Sequence, residues 1–252
     1  MSDSNFRRVP LLDELRGLVI LLMVFYHAAY DLVYIFGVNW PFFSSPLMHW
    51  LQLFIATSFI TVSGICCRFS RNNLKRGLLT FGLGMVLTVV TSLFIPEQIV
   101  RFGVLHLLGA SMVLFALLEP LLDRIPTPLG APVFGFLLFA TLYVPYRAIG
   151  IPPLLFRLPD ALYESGWLFP FGFPAAGFYS SDYFPLVPWL FLFLAGSFLG
   201  VYAREGRMPA IAYESHLPLL ARVGRHTIWI YMLHQPITYG LLWFLFHILR
   251  QP

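Results

Sequence analysis

The chain has 252 residues, of which 58% are hydrophobic and only 11% charged, with a formal net charge of +4. Soluble globular domains carry about a quarter charged residues, so an ordinary soluble fold is excluded. The composition predicts an all-α, polytopic transmembrane helical bundle forming one domain over residues 1–252. Basic residues gather in short stretches between apolar runs, which makes the charge a topological signal, and no nucleic-acid partner is expected.

The opening MSDSNFRRVP is polar and does not resemble a cleavable signal peptide. The first span covers 17–38 within LLDELRGLVILLMVFYHAAYDLVYIF, long enough to cross a hydrocarbon core of about 30 Å as a helix. An uncharged turn containing Trp40 leads into a second span at 46–67, which runs into the basic segment RFSRNNLKRG. A third span at 77–95, a PEQIVRFG turn and a fourth span at 103–122 follow, then a breaker-rich link at 123–128. The fifth span, 129–146, is interrupted by Pro132 and Gly135. The long connection 147–183 is rich in proline, glycine and aromatic residues (GWLFPFGFPAAGFYSSDYFP), and is expected to fold back onto the membrane surface. A sixth span at 184–202, a basic segment with a short helix lying flat around 210–221, and a seventh span at 227–249 complete the chain. No strand alternation, fixed-period repeat or low-complexity tract is found. Cys66 and Cys67 are adjacent, so they read as free thiols.

Seven spans alternate sides. With the N-terminus in the cytoplasm, Arg7, Arg8, Arg16, Arg68, Arg71, Lys75, Arg76, Arg124, Arg204, Arg207, Arg222 and Arg225 lie inside, and Arg101, Arg147, Arg157 and Arg250 lie outside. Twelve against four gives an N-in, C-out orientation.

Along the helix that holds the first span, Arg16 and His27 are eleven residues apart and share a face, and Asp31 extends that face by a turn. An ionisable group at membrane depth costs at least about 2.5–3.5 kcal/mol, so three on one stripe point to a protein-lined cavity. Asp31 holding one ring nitrogen of His27 would leave the other to accept a proton, as a general base requires. The plainer alternatives are an Arg16 that snorkels to the headgroups and a His27–Asp31 pair that only locks helix packing.

Depth along the other spans separates two further groups. Toward the outside fall His49 and Gln52, Arg101 and His106, and Asp182, while His234 in YMLHQP lies between the two sides. His49 also reads as a surface histidine, Arg101 and His106 as an interfacial pair, and His234 as a response to the carbonyl that Pro236 leaves unpaired. Toward the cytoplasm lie Arg68, Arg71, Lys75, Arg76 and the stretch Arg222 to His226. These read either as topology alone or as attraction for a polyanionic nucleotide donor.

The segment LDELRGLVILLMVFYHAAYDL, with Arg16 and His27 eleven residues on, resembles the first helix of membrane acyltransferases and the pattern of acyltransferase family three. A closer resemblance is to the bacterial branch of the heparan-alpha-glucosaminide N-acetyltransferase catalytic-domain family. It is carried further by IVRFGVLHLLG, SDYFPLVPWLFLFLAGSFLG and GRHTIWIYMLHQPI. The resemblance implies transfer of an acyl group, taken as acetyl, from cytoplasmic acyl-CoA to a hydroxyl or amine of a sugar or glycan on the outer face of a bacterial inner membrane. His27 would be the base, oriented by Asp31, and Arg101, His106 or His234 would stabilise the oxyanion. Arg16, Arg68, Arg71, Lys75, Arg76 and Arg225 would hold the CoA phosphates. His49, Gln52, Arg101 and Asp182 would line the acceptor side. No metal is expected, membrane lipids are the surrounding partner, and homo-oligomerisation is left open. The rival reading is a proton-coupled transporter or lipid-linked substrate carrier that uses the same groups as a relay.

Overall fold

Apolar runs of this length must satisfy their backbone groups internally, and the chain does so with helices. A computed structural model describes residues 8–247. Arg7, Arg250 and the last two residues of the seventh expected span lie outside them. Helix α1 is Pro10–Tyr30, continued by a π-helical turn over Asp31–Ile35. It is followed by α2 (Pro46–Cys67), α3 (Asn73–Phe94), α4 (Val104–Leu122) and α5 (Thr127–Thr141). The last three are α6 (Leu186–Arg204), α7 (Pro218–Arg225) and α8 (Thr227–His247). Six described helical segments are long and apolar enough to cross a bilayer: Pro10–Ile35, Pro46–Cys67, Asn73–Phe94, Val104–Leu122, Thr127–Tyr146 and Leu186–Arg204. The seventh expected span is present as α8, yet it is not among these six. Its His234-Gln235-Pro236 step interrupts an otherwise apolar helix.

Four boundaries differ from the sequence reading for visible reasons. α1 starts at Pro10, a residue suited to a first helical turn. α3 starts at Asn73 rather than residue 77, because the Asn72 side chain accepts the Lys75 backbone N–H at 2.8 Å as an N-cap. The flat helix expected around 210–221 is instead a short 3-10 turn at Ala210–Tyr213 followed by α7. The long connection contains an antiparallel hairpin, β1 (Ala148–Ile151) with β2 (Leu154–Arg157), where no strand was expected. Its β2 is exposed along its whole length, so the alternation that betrays a half-buried strand is missing.

The chain divides into two compact units, residues 1–59 with 208–252 and residues 60–207. In the first unit α1 packs on α7 and α8. Val19, Ile20 and Met23 of α1 meet Ile55 of α2, with Val223, Ile230 and Tyr231 packed against them. The α1–α7 contact is close enough to require glycine on both sides. A Cβ on Gly17 would fall 2.0 Å from the Leu220 carbonyl oxygen, and one on Gly224 would fall 1.9 Å from that of Asp13. This is the small-residue packing typical of membrane helices.

The second unit pairs α3 with α4 and α5 with α6, and uses the same device. A Cβ on Gly64 would lie 2.1 Å from the Phe193 carbonyl oxygen, and one on Gly200 2.5 Å from that of Ile65. Leu78, Leu79, Val86, Leu93 and Phe94 leave much of α3 exposed, as a lipid-facing helix requires.

Candidate functional site

In the first unit, α1 and α8 bring a polar group together inside an apolar surround. The His27 and His234 rings lie 5.0 Å apart, centroid to centroid, nearly edge to face at 61°. Asp31, at the start of the π-helical turn, is fully buried, and its Oδ1 accepts from the Gln235 amide Nε2 at 2.7 Å. The expected hydrogen bond from Asp31 to the His27 ring is not formed. The carboxyl is engaged by α8 instead.

His234 has a defined tautomer. Its Nδ1 lies 2.6 Å from the Tyr231 carbonyl oxygen, so Nδ1 carries a proton and donates, which leaves Nε2 as a bare lone pair. The carbonyl it uses belongs to Tyr231, not to the Met232 carbonyl that Pro236 deprives of its usual helical donor. Three buried polar atoms of this group have no hydrogen-bond partner among the described residues: His234 Nε2, Asp31 Oδ2 and Gln235 Oε1. Buried polar atoms are rarely left so, and these three lie on side chains that neighbour one another across α1 and α8.

The same helix face is tied down toward the N-terminus of α1. Asp13 is buried and accepts from both Arg8 and Arg16, so two guanidinium groups share one carboxylate and a net positive charge remains. Glu14, equally buried, accepts from Ser215 Oγ at 2.9 Å and from the backbone N–H groups of His216 and Leu217 at 2.8 and 3.0 Å. It thereby caps the start of α7 from another helix. Arg225 at the other end of α7 is exposed. His49 and Gln52 are also exposed on α2, and no hydrogen bond joins either to the His27–His234 group.

In the second unit, His106 and Asp182 make hydrogen bonds at the start of α4. His106 Nδ1 accepts the Gly103 backbone N–H at 3.2 Å, and Nε2 donates to Thr88 Oγ1 at 3.2 Å, which donates to the Val100 carbonyl at 2.8 Å. Both ring nitrogens are occupied. His106 thereby ties the start of α4 to Thr88 of α3. Asp182 Oδ2 accepts the Val104 backbone N–H at 3.0 Å, a cap delivered from a distant loop because Gly103 has no side chain to supply one. A Cβ there would fall 2.2 Å from that same oxygen. Burial pushes the Asp182 carboxyl up to about 6, offset in part by the Val104 hydrogen bond. Ser181 N–H to the Ile99 carbonyl and Phe184 N–H to the Phe102 carbonyl, each 3.0 Å, join the two segments into one structure. Arg101 is exposed, with its backbone N–H on Ser180 Oγ at 2.8 Å.

The basic group that follows α2 separates into one internal and three open residues. Arg68 is buried. It pairs with Asp123 at 2.5 Å, donates to the Ser197 carbonyl at 3.2 Å and lies over the Phe115 and Phe198 rings at 5.0 and 5.7 Å. Its guanidinium is engaged inside the protein. Arg71, Lys75 and Arg76 are exposed, and no ion pair among the described residues involves them.

Sequence reasoning passed over Gln235, Glu14 and Thr88. Gln235 carried a signal, being a second polar residue beside His234 in an apolar helix. Glu14 and Thr88 carried none, because their partners lie far along the chain or on the backbone.

A protein-family model described as heparan-alpha-glucosaminide N-acetyltransferase, catalytic, matches residues 8–236. No curated protein and no solved structure matches the chain.

Proposed function

Because the chain belongs to the heparan-alpha-glucosaminide N-acetyltransferase catalytic family, a family of membrane acetyltransferases, we propose that it moves an acetyl group from cytoplasmic acetyl-CoA to an amine or hydroxyl of a sugar presented at the other face of a bacterial inner membrane. The observation that carries this reading is the imidazole pair, His234 buried and His27 half-buried, with the His234 Nε2 lone pair unpartnered and its Nδ1–H fixed on Tyr231.

The acceptor nitrogen or oxygen attacks the thioester carbonyl carbon. Its proton passes to His234 Nε2, and His27, facing it at 5.0 Å, is the second imidazole available to the same proton. The tetrahedral intermediate collapses, the carbon–sulfur bond breaks, and the departing thiolate takes the proton back as free CoA. Asp31 and Gln235 act as positioning residues, tying the two helices that carry the histidines.

His27 lies eleven residues beyond Arg16, a rise of about 16 Å, comparable with an extended pantetheine arm. Arg16, sharing Asp13 with Arg8, and the exposed Arg225 are the first unit's candidates for the donor phosphates. The exposed Arg71, Lys75 and Arg76 are the second unit's.

The test is direct. Protein purified in detergent is given acetyl-CoA, and thiol release is followed with and without glucosamine, with the product identified by mass. Glucosamine-dependent thiol release and an N-acetylated product support the reading. No thioester turnover, together with pH-gradient-driven uptake by reconstituted vesicles, would establish the relay reading in its place.

A further inference from the structure

The hairpin β1–β2 presents an apolar face to its surroundings at a position where the membrane boundary can be located from span length. The apolar segment Thr127–Tyr146 is 20 residues long, α5 continued through a turn and a 3-10 turn, and about 20 residues is the length that crosses the hydrocarbon core. The hairpin begins two residues later. Its tip reads Ile151-Pro152-Pro153-Leu154, without the Gly, Asn or Asp that an aqueous two-residue turn favours. Leu154 is 70% and Phe156 67% exposed, with Ile149, Ile151 and Leu155 also open. Tyr146, just before the hairpin, is exposed as well, and α5 carries a further exposed apolar set at Phe139, Phe136 and Val133.

The base of the hairpin is held as firmly as its tip is open. Asp160 accepts from Arg147 at 2.9 Å and from Arg157 at 2.8 Å, and the Arg157 bond beside it holds the Asp160 carboxyl below the usual carboxylate range. Arg147 lies over the Tyr163 ring at 5.0 Å, and the Tyr163 hydroxyl donates to the Val144 carbonyl. Two guanidinium groups on one carboxylate leave a net positive charge where the hairpin meets the end of α5. A two-stranded hairpin is marginal alone in water. This one is pinned at its foot and carries its largest apolar side chains outward.

We infer that the hairpin at 148–157 is a membrane-dipping prong, whose apolar tip sits in the headgroup and acyl boundary of the leaflet where α5 emerges and whose cationic base meets lipid phosphate. The occupant is lipid, because the tip follows the exposed apolar set of α5 and because its residual charge complements a phosphate layer. The depth is interfacial. The unpaired edges of a two-stranded sheet need water and do not enter hydrocarbon, whereas apolar side chains at the boundary bury about 5–10 Å deep. The prong fastens the long connection to the membrane close to its start.

The experiment uses the full chain reconstituted in vesicles of phosphatidylcholine and phosphatidylglycerol. A Phe156→Cys variant in a Cys66→Ala, Cys67→Ala background carries an environment-sensitive fluorophore, with Glu164→Cys as the exposed reference in the same connection. Nitroxide lipids should quench the Phe156→Cys label severalfold more than aqueous iodide does, and the order should reverse at Glu164→Cys. Iodide quenching of both sites alike overturns the inference. So does a Phe156→Cys label that neither agent reaches, since protein rather than lipid would then cover the tip. Cys67 is buried and its replacement can cost folding. The wild-type chain is therefore also photo-crosslinked with a diazirine-bearing phospholipid. Adducts on the 148–157 peptide are expected, and adducts on α3 with none on that peptide contradict it.

Discussion

The bond between Gln235 and Asp31 joins α1 to α8 beside both histidines, and its strength is open to measurement by a double-mutant cycle. Asp31 has no solvent exposure, and Gln235 donates to its Oδ1 at 2.7 Å while Oδ2 has no partner. Interhelical hydrogen bonds in membrane proteins average only about 0.6 kcal/mol. Bonds to a charged group in proteins are worth about 1.5–3 kcal/mol, and burial keeps water from substituting for the lost donor. The coupling energy from Asp31→Ala, Gln235→Ala and the double variant is therefore expected at about 1.5 kcal/mol, read from unfolding in mixed micelles. Turnover should fall in the Gln235→Ala variant with little change in acetyl-CoA KM, because the residue positions the histidines and does not touch the donor. Independent sites add to within about 0.3–0.5 kcal/mol. A coupling inside that range, with turnover unchanged in Gln235→Ala, would show that the Gln235–Asp31 bond neither joins the helices nor positions the histidines.

The remaining predictions concern residues whose roles the structure separates. Arg68→Ala should cost about 2 kcal/mol of stability, since Arg68 bonds Asp123 and the Ser197 carbonyl, and should leave acetyl-CoA KM unaltered. Neutralising Arg71, Lys75 and Arg76 together should do the opposite, raising that KM while thermal melting stays near wild type. Gly224→Val should cost about 3 kcal/mol, the upper end for overpacking, because its Cβ would meet the Asp13 carbonyl oxygen at 1.9 Å; a melting temperature close to wild type would contradict the close α1–α7 contact. Asp182 releases its proton at about 6 when folded against an ordinary 3.8, so the folded state binds that proton more tightly between those values. Its contribution to stability is present below about pH 3.8 and is lost as pH rises through about 6. Asp182→Asn keeps an acceptor for the Val104 N–H and should flatten the melting profile across that window.

Much of the architecture is legible in the chain because bilayer physics leaves few choices. Span positions follow from apolar run length, and α2, α4 and α6 fall close to where hydropathy puts them. The His27, Asp31 and His234 group was visible as polar residues in apolar helices, which is costly unless used. How those residues connect was not visible. Asp31 finds Gln235 rather than His27, four residues away, because α8 brings an amide donor to it across 204 positions of sequence. His106 and Asp182 are a further case. A glycine at a helix start cannot cap itself, and these two side chains serve that need. Arg68 was indistinguishable from Arg71, Lys75 and Arg76 by composition, and only the packing of Phe115 and Phe198 around it reveals an internal charge.

On the proposed reading the imidazoles of α1 and α8 move the proton during acetyl transfer, so removing either should slow the chemical step. Single-turnover decay of the acetyl-CoA thioester, with glucosamine saturating, should be measured for wild type, His27→Ala and His234→Ala in the same lipid. General-base catalysis contributes about 10²–10⁴-fold, so His234→Ala should slow by at least about a hundredfold and His27→Ala substantially, each with donor binding retained. Wild-type decay rates in both variants would contradict the account.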